Sequence, residues 1–268
     1  MGLSDGDLER YSRHIILREI GVGGQRRLLA GKVLVIGAGG LGSPAAMYLA
    51  AAGVGEIGLA DGDEVDLSNL QRQIAHSTAD IGRPKVQSAA ETLEALNPGV
   101  RVNRHPGRVT AADILDLVAR YDFVLDGTDN FPAKFLINDA CVIAGKPFSH
   151  AGIIRFRGQL TTYLPGRGPC YRCLFVQPPP PEAVPSCRQA GVVGALAGVI
   201  GCLQALEAIK FLAGLGGLLC GRLLTFDALS MAFREIRVPV RENCAVCGPD
   251  PTILRPSDHE MAACGLGE

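Results

Sequence analysis

The sequence lacks a strong excess of charge of either sign. Its 268 residues carry 26 Lys and Arg against 27 Asp and Glu, a formal net charge of −1. Proteins that bind nucleic acid through bulk electrostatics are strongly basic, so this balance argues against a nucleic-acid partner. With 47% hydrophobic and 20% charged residues, the chain has the composition of a globular protein with a sizeable core.

Targeting and membrane signals are also scarce. The first residues, MGLSDGDLER, contain neither a basic nor an apolar segment, so we expect no secretory signal. The apolar run AGVVGALAGVIGCL (190–203) reaches Gln204 in fewer than the roughly 18 residues of a membrane span, so we expect a buried helix and no membrane. Nine cysteines without an export signal indicate a reducing compartment, and we expect a cytoplasmic protein.

Apolar runs alternate with helical patterns over the first half of the chain. Strands are predicted at KVLVIGAG, EIGLAD, VRVNRH, FVLDGTDN and KPFSHAG, with helices over 41–53, 84–96, 110–119 and 132–144. This alternation predicts an α/β fold with a Rossmann-like, doubly wound, mostly parallel sheet. After Gly152 the pattern changes to further strands around an irregular, proline-rich segment. We therefore predict that the sheet continues into antiparallel strands, within one domain over 1–268.

A glycine-rich turn follows the first predicted strand and opens a helix. Gly37, Gly39, Gly40 and Gly42 fit the pattern G-x-G-x-x-G, which lets backbone N–H groups approach a phosphate. Asp61 ends the next strand, where a carboxylate can bind ribose hydroxyls. These residues predict a nucleotide site but leave NAD and ATP both open.

The charges that follow favour ATP with Mg²⁺ over NAD. Asn69, Arg72 and Lys85 offer one amide and two cations near the expected phosphates. A triphosphate under attack needs this neutralisation, whereas a dinucleotide pyrophosphate is held mainly by backbone. Asp126 and Asp129 end the fourth strand at the same sheet edge, where a carboxylate can hold Mg²⁺.

Two C-x-x-C pairs stand far apart in the chain, Cys170 with Cys173 and Cys244 with Cys247. Each pair can present two thiolates to one tetrahedral ion, so together they predict a four-cysteine zinc site that joins distant segments. Redox pairs or free thiols are the alternative.

Cys187 has a different setting. It follows four consecutive prolines, precedes Arg188 and stands just before the glycine-rich helix. A neighbouring cation and a helix N-terminus both favour the thiolate, so Cys187 is a candidate reactive thiol, with an inert loop cysteine as the alternative.

These motifs together resemble one known family. The segments GAGGLG, DGDEVDLSNLQRQ, the helix of Lys85, LDGTDN, CYRC, PSCRQAG and CAVCG occur in this order in the MoeB/ThiF family, which is similar to the adenylation domains of ubiquitin-activating enzymes. The resemblance covers roughly Leu8 to Cys264.

The resemblance implies an ATP-dependent adenylyltransferase that activates the C-terminal glycine of a ubiquitin-like sulfur carrier as an acyl-adenylate, for thiocarboxylate formation. The first expectation for the carrier is a MoaD-type protein in molybdopterin biosynthesis. A ThiS-type carrier for thiamine, or a carrier for cysteine or tRNA thiolation, is the alternative within the class. An NAD-dependent dehydrogenase and a non-catalytic carrier-binding scaffold are disfavoured by the clustered charges and the cysteine pairs.

The resemblance also implies roles for single residues. Arg13 would reach the ATP of a neighbouring subunit in a homodimer, and Cys187 would carry thioester or persulfide chemistry. Because the chain ends at Glu268, we expect sulfur to come from a separate donor protein. The nucleotide-binding half would span about 1–152, and about 153–268 would hold the carrier-binding surface, zinc site and dimer helix. The residues expected at the nucleotide are Gly37, Gly39, Gly40, Gly42, Asp61, Asp63, Ser68, Asn69, Arg72, Lys85, Asp129 and Asn130, with Asp129 on Mg²⁺.

Overall fold

Eight strands form one sheet in the computed structural model, which describes residues 2–178 and 191–258. They are β1 (Lys32–Ile36), β2 (Glu56–Asp61), β3 (Arg101–Pro106), β4 (Phe123–Asp126), β5 (Phe148–Ile154), β6 (Arg157–Tyr163), β7 (Arg222–Asp227) and β8 (Ala232–Arg237). The sheet order is β3-β2-β1-β4-β5-β6-β7-β8. The first five in this order pair in parallel, and β6 to β8 continue antiparallel. The predicted fold class is confirmed.

Helices cover both faces of the sheet. They are α1 (Asp5–Arg10), α2 (Ser12–Ile15), α3 (Gly21–Ala30), α4 (Gly42–Ala51), α5 (Lys85–Leu96), α6 (Ile114–Ala119), α7 (Phe131–Ile143), α8 (Tyr171–Leu174) and α9 (Gly194–Ala213). Alternate residues of β1 enter two cores. Val33 and Val35 pack with α4, α5 and α9, whereas Leu34 and Ile36 pack with α6 and α7. After Lys32 the strand is apolar, because both of its faces are buried from Val33 to Ile36.

Two predicted helix bounds are wrong. The segment 110–113 was expected to open a helix, but α6 begins at Ile114. The Asp113 carboxylate accepts a hydrogen bond from the Thr110 N–H (2.8 Å) and closes a turn ahead of the helix instead. The glycine-rich helix begins at Gly194 and runs to Ala213, ten residues beyond Leu203.

The longer helix follows from buried polar contacts. Gln204 was expected to interrupt the apolar run, but its Nε2 donates to Asp126 O (2.9 Å) and Ser149 O (3.2 Å). Glu207 is also buried, and its Oε2 accepts from Thr162 Oγ1 and Leu219 N, both at 2.7 Å. By length and composition α9 is able to cross a membrane, although 44% of its most apolar window is buried inside the described chain.

The strand register brings the candidate site residues to one edge. Ile36 at the end of β1 lies beside Ala60 of β2 on one side and Asp126 of β4 on the other. Gly37, Asp61 and Gly127 therefore follow three neighbouring strands at their carboxyl ends. Ligands of open α/β sheets bind at such an edge.

Candidate functional site

Two glycines of the turn between β1 and α4 have no room for a side chain. Gly37 has a φ of 95°, and a Cβ there would lie 2.9 Å from the carbonyl carbon of Gly127. A Cβ on Gly42 would lie only 1.8 Å from the carbonyl oxygen of Gly37. Only glycine fits at these positions. The turn therefore leaves bare backbone at the N-terminus of a ten-residue helix, which favours an anion.

Asp61 fastens this turn. Its Oδ2 accepts a hydrogen bond from the Ala38 N–H (2.8 Å), and its Oδ1 accepts one from the Asp63 N–H (2.8 Å). A carboxylate has about four acceptor positions, so two remain for hydroxyl groups such as those of a ribose. The structure thus places Asp61 beside the glycine-rich turn, where the sequence predicted it.

Asp63 holds Lys85 at the same edge of the sheet. Its Nζ lies 3.1 Å from Asp63 Oδ2, and its backbone N–H donates to Asp63 O (3.0 Å). The Lys85 side chain is 7% exposed, whereas that of Asp63 is 54% exposed. The ion pair therefore holds one buried cation at the mouth of the site, and Asp63 positions Lys85.

Arg72 packs on the glycine-rich turn. A Cβ on Gly40 would lie 3.3 Å from Arg72 Cδ, and Arg72 Nη1 donates to Ser68 O (3.1 Å). Asn69 belongs to a short 3₁₀ helix (Leu67–Asn69), where its side chain accepts from the Asp66 N–H (3.4 Å). The turn, Asp61, Asp63, Lys85 and Arg72 are therefore brought together, as the sequence predicted.

The remaining predicted residues make fewer contacts with the site, or lie outside the described residues. Asp129 is exposed in the loop after β4. The Oδ1 of Asn130 accepts from the Ala133 N–H (2.9 Å) and so caps α7, which leaves its amide N–H groups for a ligand. Arg13 is exposed on α2. Cys187 lies outside the described residues.

Asp126 is buried and does not face a ligand. Its Oδ2 pairs with His150 Nδ1 (2.7 Å) and Lys134 Nζ (3.3 Å). Its Oδ1 accepts from the N–H (3.0 Å) and the hydroxyl (2.6 Å) of Thr128. Of the two carboxylates that the sequence places at this edge, Asp126 is therefore occupied by buried contacts. It fixes the loop that leads to Asp129, the exposed carboxylate of the pair.

The charges around Asp126 settle its protonation. Burial alone would raise the pKa of this carboxyl, but Lys134 and the hydrogen bond from His150 outweigh burial and hold the pKa below its usual range. Burial lowers the pKa of His150 to about 4, with Lys134 acting in the same direction. The described cluster thus contains a carboxylate, an ammonium and a neutral imidazole.

The four predicted cysteines lie together. The Sγ atoms of Cys170 and Cys244 are 3.6 Å apart and those of Cys173 and Cys247 are 3.4 Å apart, and all four lie within 4.8 Å of one another. Zinc with four thiolates at about 2.3 Å would set sulfur atoms about 3.8 Å apart. The cluster therefore fits one tetrahedral zinc ion.

The thiols of the cluster compete for protons. The hydrogen bond from Cys170 lowers the pKa of Cys247 to about 5, and the same bond, together with burial, raises the pKa of Cys170. A bound cation relieves this competition because it favours the thiolate at every position.

An ion pair holds the first cysteine pair in place. Arg172, between the two cysteines, donates from Nε and Nη2 to the two oxygens of Asp139 on α7, both at 2.7 Å. The Tyr171 N–H donates to Asn138 Oδ1 (2.8 Å). The buried side of α7 therefore positions α8, and with it Cys170 and Cys173.

Two buried residues at the site were missed by sequence reasoning. Gln73 lies beside Gly39, and its Oε1 has no hydrogen-bond partner within the described chain. His76 hydrogen-bonds to Ala38 O through Nε2 (3.1 Å) and to Ser88 Oγ through Nδ1 (2.9 Å). Their only sequence signal is proximity to Arg72.

The family model described as the ThiF family matches residues 11–246. The chain belongs to the ThiF family. This confirms the resemblance seen in the motifs. A curated relative from Thermus thermophilus, "Sulfur carrier protein adenylyltransferase", is 49% identical over 265 residues and covers 97% of each chain. "Adenylyltransferase and sulfurtransferase MOCS3" from Sus scrofa is 52% identical over 259 residues.

The share of each relative that is matched differs. The MOCS3 alignment covers 96% of this chain but 57% of the relative, so the chain spans little more than half of that protein. Among solved structures, E. coli MccB with ATP has a TM-score of 0.78 and 26% identity, and the match covers 89% of this chain and 73% of that chain. The ThiF-family fold therefore extends over nearly all of the sequence.

We expect about one zinc ion per chain in the purified protein and loss of that ion in Cys244→Ser. The variant should also unfold at a lower temperature, because the cluster joins residues 170–173 to 244–247. Elemental analysis and thermal unfolding measure the two effects. Cys202→Ser, on α9, is the matched control and should keep the metal. Wild-type protein with far less than one zinc per chain contradicts the assignment.

Proposed function

We propose that the protein is an ATP-dependent adenylyltransferase that activates the C-terminal glycine of a ubiquitin-like sulfur carrier. The observation that carries the proposal is the gathering of Arg72 and Lys85 around a bare helix N-terminus at the carboxyl edge of the sheet. A relative of nearly equal length, 49% identical, is named a sulfur carrier protein adenylyltransferase, which supports it.

The proposed chemistry needs little from the protein beyond position and charge. A carrier carboxylate oxygen attacks the α-phosphorus of ATP, a new C–O–P linkage forms, and the bond to the β-phosphate oxygen breaks to release pyrophosphate. The nucleophile is already ionised, so no general base is required. In this proposal the α4 N-terminus, Arg72 and Lys85 stabilise the phosphate charge, and Asp129 holds Mg²⁺.

The carrier and pathway are the finer part of the proposal. We favour a MoaD-type carrier in molybdopterin biosynthesis, with sulfur supplied by a separate donor protein. A ThiS-type carrier for thiamine, or one for cysteine or tRNA thiolation, is the alternative. The cytoplasmic location and the absence of membrane and nucleic-acid partners stay predictions.

Carrier-dependent ATP–pyrophosphate exchange tests the reaction. We expect Arg72→Ala and Asp129→Ala each to lower exchange by about 10²-fold or more, because each removes charge stabilisation at the phosphates. Arg101→Ala, at the opposite end of the strands, is the matched control and should exchange at the wild-type rate. Near-normal exchange in both site variants refutes the roles, and NAD binding to the wild-type protein would favour a dehydrogenase.

We further propose that the protein is a homodimer. One face of α9 packs on the sheet, whereas Val199 and Leu206 on another face are 39% and 49% exposed, next to Tyr48 at 58%. A symmetric pair of such faces would bury this apolar surface. Arg13 would then act at the neighbouring subunit's nucleotide.

Mixing two inactive variants tests the dimer and Arg13 together. A heterodimer of Arg13→Ala with Arg72→Ala contains one site with both arginines, so a random mixture should recover about a quarter of wild-type exchange. Exchange assays with light scattering report activity and mass. A monomeric mass at micromolar concentration, or a mixed dimer without activity, contradicts the proposal.

We propose a later role for Cys187, on sequence grounds alone. Adenylation requires no thiol, but the Cys187 thiolate is suited to displace AMP from the acyl-adenylate and form a thioester. We expect Cys187→Ala to keep ATP–pyrophosphate exchange and to lose covalent carrier or persulfide adducts, as seen by mass spectrometry. Full-rate thiocarboxylate formation by the variant with a purified sulfur donor would show that Cys187 is dispensable.

A further inference from the structure

The residue Ala38 of the glycine-rich turn is held through both its N–H and its carbonyl oxygen. The Ala38 N–H donates to Asp61 Oδ2 (2.8 Å). The Ala38 carbonyl oxygen lies 3.1 Å from Ser43 Oγ and 3.1 Å from His76 Nε2. Ala38 immediately precedes Gly39, so these contacts fix the backbone where the helix N-terminus opens.

The contacts of His76 determine its tautomer. A carbonyl oxygen only accepts, so Nε2 carries the hydrogen that points to Ala38. Nδ1 then has a lone pair, and it accepts the hydroxyl hydrogen of Ser88 on α5 (2.9 Å). The Ser88 hydroxyl is buried and can either donate or accept, so the Ala38 carbonyl is the group that selects this tautomer.

Burial is the main influence on the pKa of His76. Burial lowers this pKa, the bond to Ala38 opposes that shift, Lys85 lowers the pKa further, and Asp80 and Asp61 raise it. The Asp80 carboxylate is bonded to Ser77 and Arg83, and a hydrogen bond with Ser88 also lowers the pKa of Asp80. The net direction is downward, which agrees with a ring that has one donor and one acceptor.

Peptide planarity transmits this contact to the ligand side. In a trans peptide, the carbonyl of one residue and the N–H of the next point in opposite directions. The Ala38–Gly39 peptide is trans, and its carbonyl points toward His76 and Ser43. The Gly39 N–H therefore points away from His76, toward the open side of the turn.

We propose that His76 is a positioning residue for nucleotide binding. Through its Nε2–H on the Ala38 carbonyl, it fixes the Ala38–Gly39 peptide so that the Gly39 N–H faces a nucleotide phosphate. His76 also ties the segment that carries Arg72 to the glycine-rich turn. This inference rests on the proposed function, because the ligand it serves is ATP.

Three variants separate positioning from folding. His76→Leu removes the donor, and we expect the KM for ATP to rise about tenfold, with the KM for the carrier unchanged and most of the ATP-induced rise in Tm lost. His76→Gln retains an N–H donor and should recover most of both effects. Thr92→Val is the matched control. The Thr92 hydroxyl lies on α5, the helix of Ser88, and donates to Ala75 O (2.7 Å). Its removal should lower Tm without changing the KM for ATP.

The tautomer is tested independently of any ligand. Long-range ¹H–¹⁵N spectra of histidine-labelled protein should show His76 as the Nε2–H form in the wild type and also in Ser88→Ala, because the Ala38 carbonyl is unchanged in that variant. The opposite tautomer in the wild type overturns the inference. So does His76→Leu protein that has a lower Tm but a normal KM and ATP-induced shift, or folded His76→Gln that behaves like His76→Leu.

The same experiments separate this inference from the proposed function. Wild-type protein that shows neither exchange nor an ATP-induced rise in Tm refutes the adenylyltransferase, whatever the tautomer. If His76→Leu does not fold, His76→Gln and the wild-type tautomer still decide: a folded His76→Gln whose KM for ATP is raised about tenfold overturns the positioning role.

Discussion

The site depends on direct backbone contact between the loops that follow β1 and β4. A Cβ on Gly37 would meet the backbone of Gly127, and one on Gly127 would lie 2.8 Å from the Gly37 carbonyl oxygen. The two loops are therefore closer than any side chain allows. This contact determines where α4 begins, and thus where backbone N–H groups are exposed. Asp61 and His76 hold the turn further through their hydrogen bonds to Ala38.

A second constraint joins the two parts of the chain. Asp126 ends β4 and pairs with His150 of β5, and its backbone oxygen accepts from Gln204 of α9. His150 in turn packs against Tyr171, which lies between Cys170 and Cys173; the two ring centres are 4.1 Å apart and the rings are tilted by 44°. The loop that carries Asp129 is thereby connected, through buried contacts, to both the cysteine cluster and the glycine-rich helix. The division at about residue 152 stays a prediction.

The sequence predicted β1, β2 and β4 well because these strands are mostly apolar and buried on both faces. Helix α3 was not predicted, since Gly21, Gly23 and Gly24 weaken its pattern, and tertiary contacts such as that of Gln25 Nε2 with Ala52 O (2.9 Å) stabilise it instead. The length of α9 was underestimated for a related reason. Gln204 and Glu207 are polar in sequence, but hydrogen bonds compensate their burial.

Sequence-based prediction of the candidate site is limited in the same way. Spacing alone identified the four cysteines, the glycine-rich turn and Lys85, because each belongs to a motif with a fixed geometry. Asp126 and Asp129 are equivalent in sequence, and only burial separates the one that braces the loop from the one that is exposed. His76 and Gln73 contact residues of the turn that are distant from them in the chain. No local sequence pattern indicates these contacts.

The cysteine cluster has a consequence for chain entropy. Its two pairs bring residues 173 and 244 to the same point, so the intervening segment begins and ends there, with α9, β7 and β8 inside it. A metal ion that stayed on the four sulfur atoms during unfolding would make this segment a closed loop in the unfolded chain as well. Closing a loop of that length removes unfolded-state freedom worth about 4 kcal/mol in a covalent cross-link, and a metal clip acts in the same direction. Conformational changes within the segment between Cys173 and Cys244 would then leave its two ends together at the cysteine cluster.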